Sequence, residues 1–455
     1  MKEEIMNLIL IMSDSLRPDC LGVCGKYKIK TPNIDRLAKQ SFIFENAIAE
    51  SPITVPARTA ISTGKYTFTN RYWSPLKETD ITLPEILNQN GYQTAIIGDT
   101  PPAMDPKYNF STRFKFFQWI RGQWSDIEYK GLGREMKEKD RLIPNNILEA
   151  EVPMYEIYLK NLKELREKND SFPGRVTRSA IKWLKEHRKE RFFLWVDYFD
   201  PHEPWDPPSP YDKMYDPDYD GPFYPIPPGP ESTGYTQREL RNIFSLYCGE
   251  VTYCDKYIGE LLKEIENLGL FNDSLIIYLS DHGEPLGEHN IMRKLAPCLY
   301  NELVKIVLFI KLPGASVPRR ISSLVSNIDI FPTVLNILEI PFPSNVQGRS
   351  LVPLLNDDFT QWNNISFAGY YHENKNPSLG DFSVRMGNWK FIRHFGKYYS
   401  KSEDNIPENS SVWEELFNLK NDPNEKRNLI SKRVEKAHTL RGVLDKFLRN
   451  NFQKN

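Results

Sequence analysis

Five apolar runs constrain what this chain can become: Leu8–Met12, Thr94–Ile97, Phe192–Phe199, Ser274–Leu279 and Lys305–Ile310. Several are apolar on both faces, which suits strands of a central parallel sheet covered by helices on each side. The stretches between them change period. Val176, Ala180, Trp183 and Leu184 share one helical face, and Leu240, Phe244, Tyr247, Val251, Cys254, Ile258, Leu261 and Ile265 line a longer one. Asn267-Leu-Gly269 closes that helix before the next strand. Strand alternating with helix predicts a doubly wound α/β domain.

Two segments break the rhythm. Residues 101 to about 150 are irregular and aromatic, with Phe114, Phe116, Phe117, Trp119 and Trp124. Residues 201–230 are dense in proline and tyrosine. Loops of that length wrap active sites or form surface insertions, and both readings stand. After Leu355 the pattern changes again. Phe382–Met386 and Trp389–Phe395 flank a Gly387-Asn388 turn, which predicts a hairpin. Glu415–Leu419 reads as another strand, and a charged helix is expected over about Lys432–Arg449. The division expected is a catalytic α/β domain over 1–360 and a small α+β domain over 361–455.

Charge narrows the partners. Lysine and arginine number 59 against 60 acidic residues, for a net charge of −1, and the signs are interspersed. Nucleic acid and anionic membrane are therefore not expected. The run Leu8–Met12 is too short for a signal peptide or a span, so a soluble, cytoplasmic protein is expected. The five cysteines are odd in number in a large chain, which points to reduced thiols. Cys20 and Cys24 lack a second ligand pair for zinc.

Three places carry chemistry. Asp14 follows the first strand directly, where ligands collect in open α/β sheets. It is placed to bind metal, though a turn carboxylate or helix N-cap is the alternative. Asp281-His282-Gly283 follows another apolar strand and offers an oxygen and an imidazole. With Asp14 this makes a carboxylate-rich site that suits Ca²⁺, Mn²⁺ or Mg²⁺ better than structural zinc. The third place is Ser51-Pro-Ile-Thr54-Val-Pro56-Ala-Arg58. Pro56 favours a helix start, which sets Thr54 where backbone N–H groups and the helix dipole attract anions. A hydroxyl there, beside a cation and Arg58, is arranged to attack an oxyanion ester. Threonine is equally an ordinary N-cap.

In order along the chain, these segments resemble the sulfatase family of the alkaline phosphatase superfamily. Asp14-Ser-Leu-Arg-Pro-Asp-Cys-Leu-Gly and Thr31-Pro-Asn-Ile-Asp-Arg-Leu-Ala are similar to its N-terminal signature. Thr54-Val-Pro-Ala-Arg58 and Thr63-Gly-Lys-Tyr resemble its Cys/Ser-x-Pro-x-Arg and Thr-Gly-Arg-Tyr elements. Asp200-Pro-His202-Glu-Pro resembles Pro-His-x-Pro, and Ser280-Asp-His-Gly, Gly287-Glu-His289 and Lys294 resemble the second metal-binding strand end with its loop. Asn327 to Thr333, Gln347 to Leu355 and Leu416 to Leu429 are similar to later signatures.

The resemblance implies a large doubly wound mixed β-sheet flanked by helices, with a smaller C-terminal domain. It implies one divalent metal ion on Asp14, Asp281 and His282, with the Thr54 oxygen as a further ligand. Arg58 would steady the nucleophile. His202 and Lys294 would contact the sulfuryl or phosphoryl group or the leaving group, and His289 is a candidate for the same pocket. The partner implied is a small-molecule sulfate, phosphate or phosphonate ester, with room for a homo-oligomer.

Three departures bear on the chemistry. Relatives oxidise the Cys or Ser to formylglycine, and Thr54 is not expected to mature in that way. A threonine alkoxide can still attack phosphorus, as in the superfamily's nucleotide pyrophosphatases and phosphoethanolamine transferases. A Gly-Lys-x-His element is replaced by Gly98-Asp99-Thr-Pro-Pro, and Ser15 stands where many sulfatases have a second aspartate. The pattern is closer to the phosphonate monoester hydrolase and phosphodiesterase side of the family. A catalytically inactive scaffold binding an anionic ligand, and a phosphoryl transferase, are the competing readings.

Overall fold

The computed structural model describes residues 6–69, 71, 73–126, 129, 148–295, 298–314, 318–371, 380–395 and 412–452. Nine strands form the main sheet: β1 Asn7–Ser13, β2 Phe42–Ile48, β3 Gln93–Gly98, β4 Phe116–Trp119, β5 Phe192–Tyr198, β6 Ser274–Ser280, β7 Lys305–Ile306, β8 Leu308–Lys311 and β9 Arg319–Ser326. The order is β4-β3-β5-β1-β6-β8-β2-β7, with β9 on β2. From β4 to β6 every pairing is parallel. β8 runs antiparallel to both β6 and β2, so the sheet is mixed. Lys305–Ile310, read as one strand, divides at Val307 into β7 and β8.

Side-chain alternation along β1 explains why both faces are covered. Ile9 and Ile11 enter one core with helices Val152–Glu167, Phe172–His187 and Gln237–Asn267. Leu8, Leu10 and Met12 enter another, with helices Thr54–Thr63, Leu83–Gln89 and Ile330–Ile337. A strand that must satisfy two cores reads as continuously apolar. Among the described residues no helix is long and apolar enough to cross a membrane, and all five cysteines are unpaired.

A second sheet, β10 Ile365–Tyr371, β11 Gly380–Met386, β12 Trp389–Phe395 and β13 Val412–Asn418, is antiparallel in sequence order. Met386 pairs Trp389 across Gly387-Asn388, and Gly387 has φ 56°, the left-handed geometry such a two-residue turn asks of its first residue. Helix Val434–Phe452 packs its Ala437, Leu440 and Leu444 on this sheet. Phe68, from the segment after helix Thr54–Thr63, is wholly buried in that same core.

His394 on β12 lies between two acids, with Nδ1 2.7 Å from Asp381 and Nε2 3.1 Å from Glu415, and stacks on Trp413 at 3.6 Å. Burial works against its charge, but Asp381 and Glu415 outweigh burial and lift it to about 9. A cation with a raised folded-state pKa stabilises fully below its unfolded value near 6.5 and loses that contribution as pH rises through 9. Unfolding free energy should fall by up to roughly 3 kcal/mol between pH 6.5 and pH 9.5. His394→Gln should flatten this slope in urea titrations at several pH values. An unchanged slope would refute the assignment.

Candidate active site

β1 lies between parallel β5 and β6, so their carboxyl ends open on one edge. Asp14 leaves β1 with its N–H on the Tyr198 carbonyl at 2.9 Å, and Asp281-His282 leaves β6. Asp14, Asp281 and His282 each present a ligand atom within 4.8 Å of the others, and all three are fully buried. Gly283 permits the exit from β6, because a Cβ there would fall 2.1 Å from the Glu302 carbonyl oxygen. Ser15, at φ 60°, ties the carboxylates together. Its N–H donates to Asp281 at 3.0 Å and its hydroxyl to Asp14 at 3.0 Å.

His282 donates from Nδ1 to the Gly283 carbonyl at 2.8 Å, which leaves Nε2 with its lone pair. That Nε2 is buried without a hydrogen bond, and so is Asp14 Oδ2. Burial pulls His282 down to about 4, so the imidazole is neutral. Burial and then repulsion from Asp281 push the Asp14 carboxyl well above its ordinary range. Burial would raise Asp281 too, but Arg58 and the backbone N–H groups of Ser15 and His282 hold it at about 2. Two carboxylates and a neutral imidazole, with a bare buried Nε2 beside an Asp14 Oδ2 that meets only Arg58, fit a divalent ion. A bound cation would reverse the upward shift of Asp14.

Arg58 closes the base of this cluster. It grips Asp197 on β5 with Nε and Nη2 at 2.9 and 2.7 Å. Nη1 donates to Asp281 at 2.6 Å, and Nη2 lies 3.1 Å from Asp14. Asp197 was not singled out from the sequence. A lone charge within a fully buried strand is the signal that marks it, since such a charge demands a partner.

Helix Thr54–Thr63 starts beside these ligands with Ile53 as its N-cap. Thr54 is therefore the first helical residue rather than the cap, and its hydroxyl has no hydrogen-bond partner among the described residues. Pro56 sits in the first turn, where its missing N–H has no intrahelical acceptor to lose. A cavity of about 390 Å³ opens over Thr54, lined also by His202, Lys294, Trp73, Tyr108 and Trp119. Pro101 and Pro102 form part of its wall, so the irregular aromatic segment does contribute to this pocket. Trp124 reaches the wall but is 3% exposed, packed on Tyr155 and Tyr158. Burial pulls His202 down to about 3, so it too is neutral. Lys294 donates to Glu284 at 3.0 Å and Glu203 at 3.1 Å. Burial opposes its charge, but these acids hold its pKa above the ordinary lysine value.

His289 is not brought into this pocket. It stacks on Tyr300 at 3.7 Å and lines a separate cavity with Glu302 and Glu415. The left-handed backbone of His289 and Asn290 turns that loop away before Lys294 returns to the site.

The Sulfatase family model matches residues 6–340, and the N-sulphoglucosamine sulphohydrolase C-terminal model matches 287–452. Arylsulfatase K of Homo sapiens is 25% identical over 95% of this chain and 80% of its own length. The multifunctional alkaline phosphatase superfamily protein PehA of Trinickia caryophylli is 28% identical over 77% of each. The fold is similar to the phosphonate monoester hydrolase of Agrobacterium radiobacter, with a TM-score of 0.75 and 21% identity over 98% of this chain and 96% of that one. It is also similar to a protein solved with its substrate D-glucosamine-2-N,6-O-disulfate, with a TM-score of 0.73 and 21% identity over 99% and 98%. Its relatives are ester hydrolases of sulfatase type, and this chain is a member of the sulfatase family.

Proposed function

We propose that this sulfatase-family hydrolase uses Thr54 as its nucleophile at a single divalent ion, with phosphoric or phosphonic esters as its preferred substrates over sulfuric esters. The observation that carries this reading is the Thr54 hydroxyl, unengaged as a cap, at a helix start beneath a cavity that also holds Lys294 and His202. Asp14, Asp281 and His282 would hold the ion, with Thr54 as a further ligand. When bound, such an ion lowers the hydroxyl's pKa and screens the ester's charge.

The remaining work falls to the chain. The helix N-terminus favours an anion over Thr54, and the Lys294 ammonium adds positive charge on the cavity wall. Thr54 Oγ forms a bond to phosphorus as the bond to the alcohol oxygen breaks and the alcohol leaves. Water then attacks phosphorus, the Thr54–phosphorus bond breaks, and the hydroxyl is regenerated. With sulfate, a plain threonine has no geminal hydroxyl through which the adduct could collapse by C–O cleavage. Release would need attack at sulfur, which is why phosphorus is favoured. The relatives carry names from both sides, arylsulfatase K on one and an alkaline phosphatase superfamily protein called multifunctional on the other.

The test is paired kinetics on protein loaded with Mn²⁺ or Ca²⁺, using p-nitrophenyl sulfate, p-nitrophenyl phosphate, p-nitrophenyl phenylphosphonate and bis(p-nitrophenyl) phosphate. Metal-dependent turnover of a phosphorus ester, with sulfate at least ~10²-fold slower in kcat/KM, is the expected result. Faster sulfate turnover would overturn the preference. Silence on all four with metal bound would support the inactive scaffold, a reading favoured by Asp99 and Pro101 in place of the lysine and histidine of the Gly-Lys-x-His element.

A further inference from the structure

Two side chains facing the cavity, His202 and Lys294, are 92 positions apart and sit on different loops, yet one carboxylate touches both. Glu203 is 2% exposed. Its Oε2 accepts from Lys294 Nζ at 3.1 Å and lies 3.2 Å from His202 Nδ1. Its own carbonyl accepts from His202 Nδ1 at 2.7 Å, so the imidazole keeps its Nε2 lone pair. The other oxygen, Oε1, accepts from Arg293 Nε at 3.0 Å, and Arg293 is clamped in turn by Glu151 at 2.9 Å. The sequence gives no family reason for this acid, because Glu203 fills the open position of the Pro-His-x-Pro element.

We infer that Glu203 is the positioning residue of the site: its carboxylate sets the place of the Lys294 ammonium and the ring plane of His202, its backbone carbonyl keeps the proton of His202 on Nδ1, and Arg293 and Glu151 set the place of its side chain. The physical case is one of pairing. A lysine buried beside a metal cluster is costly unless its charge is matched, and a flexible four-carbon stem aims at an oxyanion only if something holds its end. Glu284 supplies the second anchor, with Oε2 3.0 Å from Lys294 Nζ. Phe199, stacked on His202 at 4.1 Å, fixes only the ring's flat face and leaves its rotation to Glu203. Groups held in this way contribute in the transition state without reorganising at the moment of reaction.

The inference rests on the proposed ester chemistry, and its test separates the two. In metal-loaded full-length protein, Glu203→Gln should lower kcat/KM by about 10–10³-fold on the best ester of the panel, since removing one preorganised charge contact costs on that order. Glu203→Asp should recover part of the loss. In a double-mutant cycle, Glu203→Gln should cost less in the Lys294→Ala background than in the wild type, the remainder being its effect through His202. The His202 ring-nitrogen NMR shifts should report Nδ1–H with a bare Nε2 in the wild type, and a displaced Nδ1 resonance in Glu203→Gln, where the charge 3.2 Å from Nδ1 is lost while the carbonyl keeps the tautomer. Full additivity of the two substitutions, wild-type turnover in folded Glu203→Gln, or an unchanged His202 spectrum would each overturn the inference. If no ester is turned over, the proposed function fails, and the NMR arm still decides whether Glu203 orients His202.

Discussion

Thr54→Ala will abolish turnover, with kcat falling by about 10³–10⁶-fold, as is usual when an enzyme nucleophile is removed. The fold and most of the metal affinity will survive. The expectation of survival is structural. Thr54 is the first helical residue and its side chain caps no N–H, so alanine leaves no orphaned donor behind. Asp14, Asp281 and His282 would still offer three ligand atoms. The checks are kcat on the best phosphorus ester, thermal melting, and titration with Mn²⁺. Thr54→Ser should retain activity, because a primary hydroxyl occupies the same place. Turnover retained in purified Thr54→Ala would remove Thr54 from the reaction.

Arg58→Leu carries the largest expected effect on stability. The guanidinium is 1% exposed and contacts Asp14, Asp197 and Asp281. Leucine fills much of the volume but leaves three buried carboxylates facing one another. Breaking a buried pair from one side costs about 3–5 kcal/mol, because the charge left behind has neither water nor partner. In chelator, the urea midpoint should drop accordingly. Added Mn²⁺ should restore part of the loss, since a divalent ion on Asp14 and Asp281 supplies positive charge. A variant within about 1 kcal/mol of wild type in chelator would show that the carboxylates are not the strained set described.

The sequence and the structure agree where local chemistry decides. The strands ending at Asp14 and Asp281 were legible because each is apolar on both faces and stops at a charged residue. The hairpin around Gly387 was legible because its turn has a backbone requirement of its own. What could not be read depends on who meets whom. β2 and β9 pair with each other across 277 to 278 positions, and neither Phe42–Ile48 nor Arg319–Ser326 stands out as an apolar run. Asp197 hides in a hydrophobic strand, and its meaning appears only once Arg58 arrives from another element. His289 carries a resemblance by spacing to Lys294, but two left-handed residues send its ring to Tyr300 instead. Glu203 and Glu284 look like ordinary loop acids until the fold brings both to one lysine.

The placing of β1 between β5 and β6 has a kinetic consequence. Ser15 and Asp281 are 266 positions apart when they hydrogen-bond. No short excised segment can therefore contain the ligand set, and closing so long a loop has to be offset by the sheet itself. If the proposed site holds an ion, its capture would time folding: during refolding, a fluorescent chelator should give up its ion only after β6 has joined β1. A chain stalled during synthesis before residue 281 would carry Asp14, Thr54 and Arg58 without Asp281 and His282, and so only part of the proposed site.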